Sequence, residues 1–133
     1  MENLLRGALL DWLRDDPVLD GALNAIEEQS PVRATVPWLA IATSASTDWS
    51  TKDRTGREVR VAFELQTRGD DAAADGDLVA ATEKRISAFP TDHTDFACVT
   101  VQFLRARAER RARNMRSILL EYRFRLLALP PAN

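Results

Sequence analysis

The sequence predicts an α+β fold in which one or two N-terminal helices precede a strand-strand-helix-strand-strand segment. An apolar stripe with helical spacing covers residues 2–14, and apolar and polar residues alternate over 58–66 and 118–126. A further helical pattern over 72–89 separates the two strand pairs. This order predicts a roughly four-stranded, mainly antiparallel sheet with helices packed on one face. With 133 residues, the chain is expected to form a single domain over 1–133.

Two helices are predicted near the N-terminus. The dipeptide Asp16-Pro17 combines an N-cap residue with proline at a first helical position, so a second, shorter helix is expected after it, reaching towards Ile26. Ser30-Pro31 breaks this pattern, and the residues up to Pro37 are expected to be an extended linker. The apolar stripe of the first helix consists of Leu4, Leu5, Ala8, Leu9, Trp12 and Leu13.

The first strand pair surrounds a long polar segment. Residues 38–43 form a short apolar run that suits a buried strand, and residues 58–66 alternate as in a half-buried strand, with Val59, Val61, Phe63 and Leu65 on its apolar face. Ser, Thr and Asp dominate the thirteen residues between them, 44–56, which we interpret as a loop with an exposed Trp49. Loops of that length tend to be functional, so a partner is expected to order this one. The alternative is that Trp49 packs back over the sheet as a core residue.

The second strand pair carries most of the positive charge. Val99, Val101 and Phe103 alternate with polar residues, and 118–126 alternate likewise, which predicts two more strands. The connection 105–116 holds six arginines opposed only by Glu109, and either extends both strands as a basic ribbon or stays loose. Its arginines suit ion pairs between subunits, nucleic-acid phosphates or solvent.

Charge is distributed unevenly along the chain. The net charge is −2, with −8 over residues 1–97 and +6 over residues 98–133, so the two portions attract each other within or between molecules. The polar face of the sheet is expected either to be solvated or to face a channel or a neighbouring subunit. Besides Gln66, this face would carry Glu58, Arg60, Glu64, Glu121, Arg123 and Arg125.

The residues predict no catalytic, cofactor or metal site. His93 is the single histidine and is interpreted as a turn residue, while Cys98 is expected to be a buried structural thiol. Phosphate-binding glycine motifs are absent, and the N-terminus lacks the basic start of a signal peptide. We therefore expect a soluble cytosolic protein without a membrane partner. Helix capping and solubility explain the acidic residues Asp70, Asp71, Asp75 and Asp77.

Three segments together resemble a known family. They read LLRGALLDWLRDDPVLDGAL from residue 4, VPWLAIATSASTDWSTKDRTGREVRVAFELQTR from residue 36 and VTVQFLRARAERRARNMRSILLEYRFRLL from residue 99. The chain resembles the small tail terminator, or tail completion, proteins of long-tailed phages and gene transfer agents. The most characteristic pieces are the strand after Pro37, then 48–52 and 56–58.

This resemblance implies a structural role without chemistry. Such proteins form rings, commonly hexameric, that cap the head-proximal end of the tail tube, stop its growth and offer a docking surface to the head connector. DNA passes through the ring without sequence-specific binding. The protein would assemble in the bacterial cytoplasm and end in the tail of the particle. The alternative is a small nucleic-acid-binding protein that uses the hairpin 105–116. The residues expected at an oligomer or partner interface are Asp48, Trp49, Lys52, Arg54, Arg57, Arg105, Arg107, Arg110, Arg111 and Arg113.

Overall fold

The protein folds around a five-stranded sheet with helices against one face. The structure is a computed structural model that describes residues 1–29, 34–69 and 72–130. The strand order is β1-β2-β3-β5-β4, in which β1 is parallel to β2 and the other neighbours are antiparallel. The elements are α1 (Glu2–Arg14), α2 (Pro17–Ala22), β1 (Ala25–Glu27), β2 (Trp38–Asp48), β3 (Gly56–Arg68), α3 (Ala72–Ser87), β4 (Phe96–Arg111), a 3₁₀ turn (Ala112–Asn114) and β5 (Met115–Ala128).

The predicted α+β class is confirmed, but the sheet has one strand more than expected. Ile26, which the sequence placed at the end of the second helix, instead pairs with Leu39 in the short strand β1. Helix α2 ends earlier because Leu23 already has an extended backbone. The predicted linker lies partly outside the described residues, since 30–33 are not among them. None of the described helices is long and apolar enough to cross a membrane.

Alternation along β3 and β5 builds the core as predicted. Val59 pairs with Phe124, Val61 with Tyr122, Phe63 with Leu120 and Leu65 with Ile118, and all of these side chains are buried. Helices α1 and α3 cover this face with Leu5, Leu9, Leu13 and Ile86, each of which is fully buried. Burial of a large apolar side chain contributes about 1.5–3 kcal/mol, so this layer dominates the stability of the fold.

Local signals place the helix boundaries. The Asp16 carboxylate accepts a hydrogen bond of 3.2 Å from the backbone N–H of Leu19, and Pro17 occupies the first turn of α2, which confirms the predicted cap. Helix α1 covers the predicted residues, although Leu4 is 45% exposed and Leu10 is buried in its place. Helix α3 ends at Ser87, two residues before the predicted end at Phe89.

Strand β2 is longer than the sequence predicted. It continues through Ser44 and Ser46, which pair with Val61 and Val59, so the expectation of a thirteen-residue loop is wrong. Polar residues fit this strand because α1 presents polar groups to it: Arg6 Nη1 donates to Ser44 Oγ at 3.0 Å, and Ser46 Oγ donates to the Glu2 carboxylate. The connection between β2 and β3 is therefore only 49–55.

A bulge near the start of β4 changes which side of the sheet the residues face. Cys98 pairs with Leu126 and Thr100 with Arg125, which leaves Val99 as an extra residue that is 50% exposed. The prediction that Val99 faces the core is therefore wrong. Phe103 does lie on the helix-covered side, opposite Tyr122, but it is 46% exposed because β4 is the edge strand.

Ser46→Ala is expected to raise the pKa of Glu2. The hydrogen bond from Ser46 is the main cause that lowers the pKa of Glu2 from 4.5 to about 2. Because the folded-state pKa is depressed, the contribution of Glu2 to stability is fully present above pH 4.5 and is lost as the pH falls towards 2. An NMR pH titration of both proteins measures the shift, and an unchanged Glu2 titration in the variant would contradict this assignment.

Cys98 is expected to resist thiol reagents in the folded protein. It is 3% exposed, and burial raises the pKa of its thiol to about 12, so the reactive thiolate is disfavoured. Labelling with iodoacetamide at pH 8 should therefore follow global unfolding, at least a hundredfold slower in buffer than in denaturant. Rapid labelling of the native protein would show that β4 opens locally.

Candidate interaction surfaces

The connection between β2 and β3 is a short, internally bonded loop. The backbone N–H of Trp49 donates to Gly56 O at 3.0 Å, and Thr51 N–H donates to Arg54 O at 2.8 Å. Ser50 Oγ donates to Asp48 Oδ1 at 2.7 Å, so the exposed Asp48 carboxylate also supports the loop. These contacts fix the loop within one copy of the chain, without a partner.

Trp49 is half-buried, whereas the sequence predicted an exposed side chain. Its ring lies beneath the guanidinium group of Arg125, with 5.5 Å between Arg125 Cζ and the ring centroid. Such a cation–π contact at a partly exposed site stabilises by about 0.5–1 kcal/mol. Trp49 therefore joins the loop to the polar face of the sheet.

The three basic residues predicted in this region differ in what they contact. Arg54 donates to the backbone oxygen of Ala128 from both Nε, at 2.9 Å, and Nη2, at 2.6 Å, which ties the loop to the end of β5. Arg57 lies 4.0 Å from the Glu2 carboxylate and is about half exposed. Lys52 is exposed at the loop surface. Lys52 and Arg57 thus remain accessible to a partner, whereas Arg54 has a structural role.

The arginine-rich connection forms a ribbon, which is one of the two forms that the sequence allowed. Strand β4 continues to Arg111, β5 begins at Met115, and every residue from Arg105 to Asn114 is exposed. Backbone pairing of Gly69 N–H with Asn114 O at 2.7 Å attaches the tip to the end of β3. We call residues 105–116 the arginine ribbon.

Four of the ribbon's six arginines form ion pairs within the described part of the chain. Arg105 pairs with Glu121, while Arg107 and Arg111 share Glu109 at 3.4 and 3.5 Å. Next to the tip of the ribbon, where it is in register with Arg110, Arg116 pairs at 3.2 Å with Asp75. The exposed pairs contribute little stability. Residues 105–116 hold six arginines and one glutamate, so the ribbon itself stays positively charged.

Asp75 is a buried structural residue and not a solubilising one. Its carboxylate accepts a hydrogen bond of 2.9 Å from Thr67 Oγ1 in addition to the contact with Arg116, and so joins α3 to β3 and β5. Asp77 is exposed, as expected for a solubilising residue. Asp70 and Asp71 lie outside the described residues. No group of three or more potential metal ligands occurs among the residues that the structure describes.

The polar face of the sheet carries a row of paired charges. Glu58 lies 3.3 Å from Arg123 and 3.0 Å from Arg125, so one carboxylate serves two guanidinium groups. The hydrogen bond with Arg105 holds the pKa of Glu121 below its usual range. Arg60 and Arg123 line one side of a hollow of about 550 Å³ on this face. Ser117 donates to Glu64 at 2.7 Å nearer the arginine ribbon.

The two predicted interface segments lie at opposite ends of the sheet. Gly56 follows residues 49–55, which we call the Trp49 loop, and is in register with Leu127. Arg68 is in register with Met115 at the tip of the ribbon. Thirteen residues of β3 separate these ends, which corresponds to roughly 40 Å at about 3.3 Å per residue. The two candidate interaction surfaces therefore lie at opposite ends of the charged face.

The structure contains an acidic cleft that the sequence did not predict. It has a volume of about 590 Å³ and lies between the C-terminal half of α1 and the segment 89–93 that follows α3. Its acidic residues are distant in sequence, so only the folded structure shows that they meet. The lining consists of Ala8, Asp11, Trp12, Arg14, Asp15, Phe89, Pro90, Asp92 and His93.

His93 is held rigidly at the wall of the acidic cleft. Its ring stacks between Phe89 and Phe96, with both ring centroids 4.5 Å away. Nε2 lies 2.6 Å from the backbone oxygen of Pro90. The imidazole therefore packs as a flat ring between two aromatic rings, a more ordered position than the solvated turn that the sequence indicated.

The fold resembles that of a protein in a phage-like particle. It matches a chain of the solved structure described as "Virion of native gene transfer agent (GTA) particle" with a TM-score of 0.80 and 23% sequence identity. The match covers 93% of this chain and 95% of that chain. No curated protein matches this sequence. The protein thus has the α+β architecture of a component of such a particle.

The sequence itself identifies the family to which the chain belongs. The model of the family described as Tail completion protein gp17 matches residues 7–127. The chain belongs to this family and is a structural component of a phage-type tail. The resemblance seen in the sequence is confirmed.

Proposed function

We propose that the protein forms a ring that caps the head-proximal end of the tail tube, ends tube growth and offers a docking surface to the head connector. The observation that carries this proposal is the match to the tail completion family over residues 7–127. The subunit acts in this role through contacts and not through catalysis. It assembles in the bacterial cytoplasm and remains in the finished particle.

The arrangement of the surfaces supports a ring. The Trp49 loop and the arginine ribbon lie at different ends of one rigid sheet, and different surfaces that meet head to tail close into a ring when the rotation between copies allows it. The family resemblance favours six copies. Contacts with the tail-tube protein and the connector would then use the two rims of the ring.

The polar face of the sheet suits the channel of such a ring. Its charges are mostly compensated by pairing, as in the contacts of Glu58 with Arg123 and Arg125. A surface of this kind is wet and nearly neutral, so it lets DNA pass without holding it. Arg60, which is exposed at the hollow, would be the residue nearest to passing phosphates.

Electron microscopy tests the proposal directly. Negative-stain images of the purified protein, alone and with assembled tail tubes, should show rings and density at one end of each tube. Deleting the gene should give tubes of uncontrolled length, which the wild-type gene restores in trans. A protein that stays monomeric in both settings, or tubes of normal length without it, would overturn the proposal.

Trp49→Ala is expected to weaken assembly while leaving the subunit folded. Aromatic anchors at interfaces contribute about 2 kcal/mol or more, which corresponds to a roughly thirtyfold increase in the dissociation constant. Within the subunit the variant loses the contact with Arg125, which is worth about 0.5–1 kcal/mol, and the burial of part of the indole ring. Sedimentation measures the association, and Trp49→Phe serves as the matched control. Normal assembly with a much less stable subunit would instead make Trp49 a residue of the fold.

The exposed arginine ribbon favours nucleic-acid binding as a second candidate function. Guanidinium groups bind phosphates bidentately, and affinity for DNA would fall steeply as salt rises. A gel-shift assay with duplex DNA at low and moderate salt tests this function. Failure to shift DNA at low salt would exclude it.

A further inference from the structure

We propose that the arginine ribbon of one copy docks into the acidic cleft of the next copy. This inference rests on the proposed ring and identifies the contact that holds neighbouring subunits together. The ribbon supplies guanidinium groups, and the cleft between α1 and the segment 89–93 supplies carboxylates. The contact is heterologous because the two surfaces are different.

The tip of the ribbon carries two charges that pair with none of the residues that the structure describes. Arg110 and Arg113 are exposed and form no hydrogen bond or ion pair with the described residues. Arg113 also has a φ of 61°, a left-handed conformation that costs a non-glycine residue about 1 kcal/mol. An arginine at a position that suits glycine or asparagine better points to a function for its side chain outside the subunit.

The cleft offers the opposite charge. Asp11, Asp15 and Asp92 line it, and none of the three forms an ion pair within the described ranges. Helix α1 ends at the cleft, and its C-terminal carbonyl groups add a partial negative charge that favours cations. The one basic residue in the lining, Arg14, is already engaged with Ile26 O at 2.8 Å and with Glu27 at 3.1 Å.

The ribbon of a subunit cannot reach the cleft of the same subunit. Asp92 bridges to Ala97 at the start of β4, whereas Arg111 ends that strand. The fourteen steps along the strand from residue 97 to residue 111 place these ends roughly 45 Å apart at about 3.3 Å per residue. A single arginine side chain extends only a small fraction of that distance, so the two surfaces meet only between copies.

Charge balance favours a protein partner over nucleic acid for the ribbon. Outside residues 105–116 the chain holds 12 basic and 19 acidic residues, so most of the molecule repels a polyanion. Glu109 also lies in the middle of the ribbon and would oppose a phosphate backbone. In a carboxylate-lined cleft on a second copy, the carboxylates can bind the guanidinium groups bidentately. The excess of acidic residues in the rest of the chain then attracts the ribbon.

Charge reversal on each surface tests the contact. The ribbon variant carries Arg110→Glu and Arg113→Glu, and the cleft variant carries Asp11→Lys and Asp92→Lys. These four positions are exposed, so the subunit should remain folded, which circular dichroism and thermal melting verify. Sedimentation velocity then compares self-association in 0.1 M salt, where the Debye length is about 10 Å, and in 1 M salt, where it is about 3 Å.

Each variant alone should associate at least tenfold more weakly than the wild type at low salt. An equimolar mixture of the two should recover association to within about threefold of the wild type, because each reversed ribbon meets a reversed cleft and each native ribbon meets a native cleft. One chain with all four substitutions should recover it as well. The mixture alternates the two variants, so it closes rings only when the number of subunits is even.

Variants that associate like the wild type, or a mixture without recovery, would overturn the docking contact. If the ribbon variant loses DNA binding but still forms rings, the ribbon serves nucleic acid instead. The wild-type control separates the two proposals. If the wild type forms rings and the variants do so equally well, only this contact is rejected. If the wild type stays monomeric both by itself and in the presence of tail tubes, the ring itself is rejected.

Discussion

Phe63→Ala is expected to lower the free energy of unfolding by about 3–5 kcal/mol, because it removes a fully buried aromatic side chain from the centre of the core. Phe63 lies on β3 between Ile41 of β2 and Leu120 of β5. Its ring meets that of Tyr122 edge to face, with 5.9 Å between centroids. Both neighbours belong to strands of the same sheet, so the cavity left by the substitution cannot collapse easily. Chemical denaturation followed by circular dichroism measures the change.

Phe103→Ala is the matched control for the core substitution. Phe103 also contacts Tyr122 edge to face, with 5.5 Å between centroids, but it is 46% exposed on the edge strand β4. Its removal should cost less than about 1.5 kcal/mol in dilute, monomeric protein. Equal losses for the two variants would mean that the exposed side of β4 is covered in solution, which a dilution series would reveal.

Strong periodicity made the centre of the fold predictable. Alternation along β3 and β5 identified the buried faces because each strand has one wet side and one apolar side. The stripe of α1 worked for the same reason, and Asp16-Pro17 marked the start of α2 through backbone chemistry alone. These are local signals that do not depend on distant residues.

The errors in the fold prediction have tertiary causes. The second half of β2 reads as a polar loop, but Ser44 and Ser46 face Arg6 and Glu2 of α1, so their hydroxyl groups are satisfied within the sheet. Strand β1 has three residues, too few for a periodic pattern, and exists because β2 offers an edge to pair with. The bulge at Val99 follows from pairing with β5, which the sequence of β4 alone does not encode.

The sequence identifies the residues of two candidate interaction surfaces, but it does not show where these surfaces lie relative to each other. Composition drew attention to the Trp49 loop and to the arginine ribbon, and only the register of β3 with β5 shows that they lie at opposite ends. The acidic cleft combines Asp11 and Asp15 with Asp92, which is far away in sequence. No short pattern connects them, so the proposed contact between copies emerges from the fold.

Gly56→Ala is expected to destabilise the subunit by about 2–3 kcal/mol and to displace the Trp49 loop. A Cβ atom at Gly56 would lie 2.4 Å from Trp49 O and 2.8 Å from Leu126 O, distances at which one of the backbones must move. Movement on the loop side strains the hydrogen bond from Trp49 N–H to Gly56 O, now 3.0 Å long. The variant should therefore lose both unfolding free energy and, under the proposed function, ring assembly.

Gly76→Ala provides the opposite expectation with the same chemical change. Gly76 lies in α3 with nothing within 4 Å of the added Cβ, so alanine should stabilise the helix by about 0.5–1 kcal/mol and leave assembly unchanged. Denaturation curves for both variants measure the difference, and intrinsic tryptophan fluorescence reports on the loop. If the two variants are equally stable, the loop must relax around a side chain at position 56. The fold would then not require the close approach of β3, β5 and the loop.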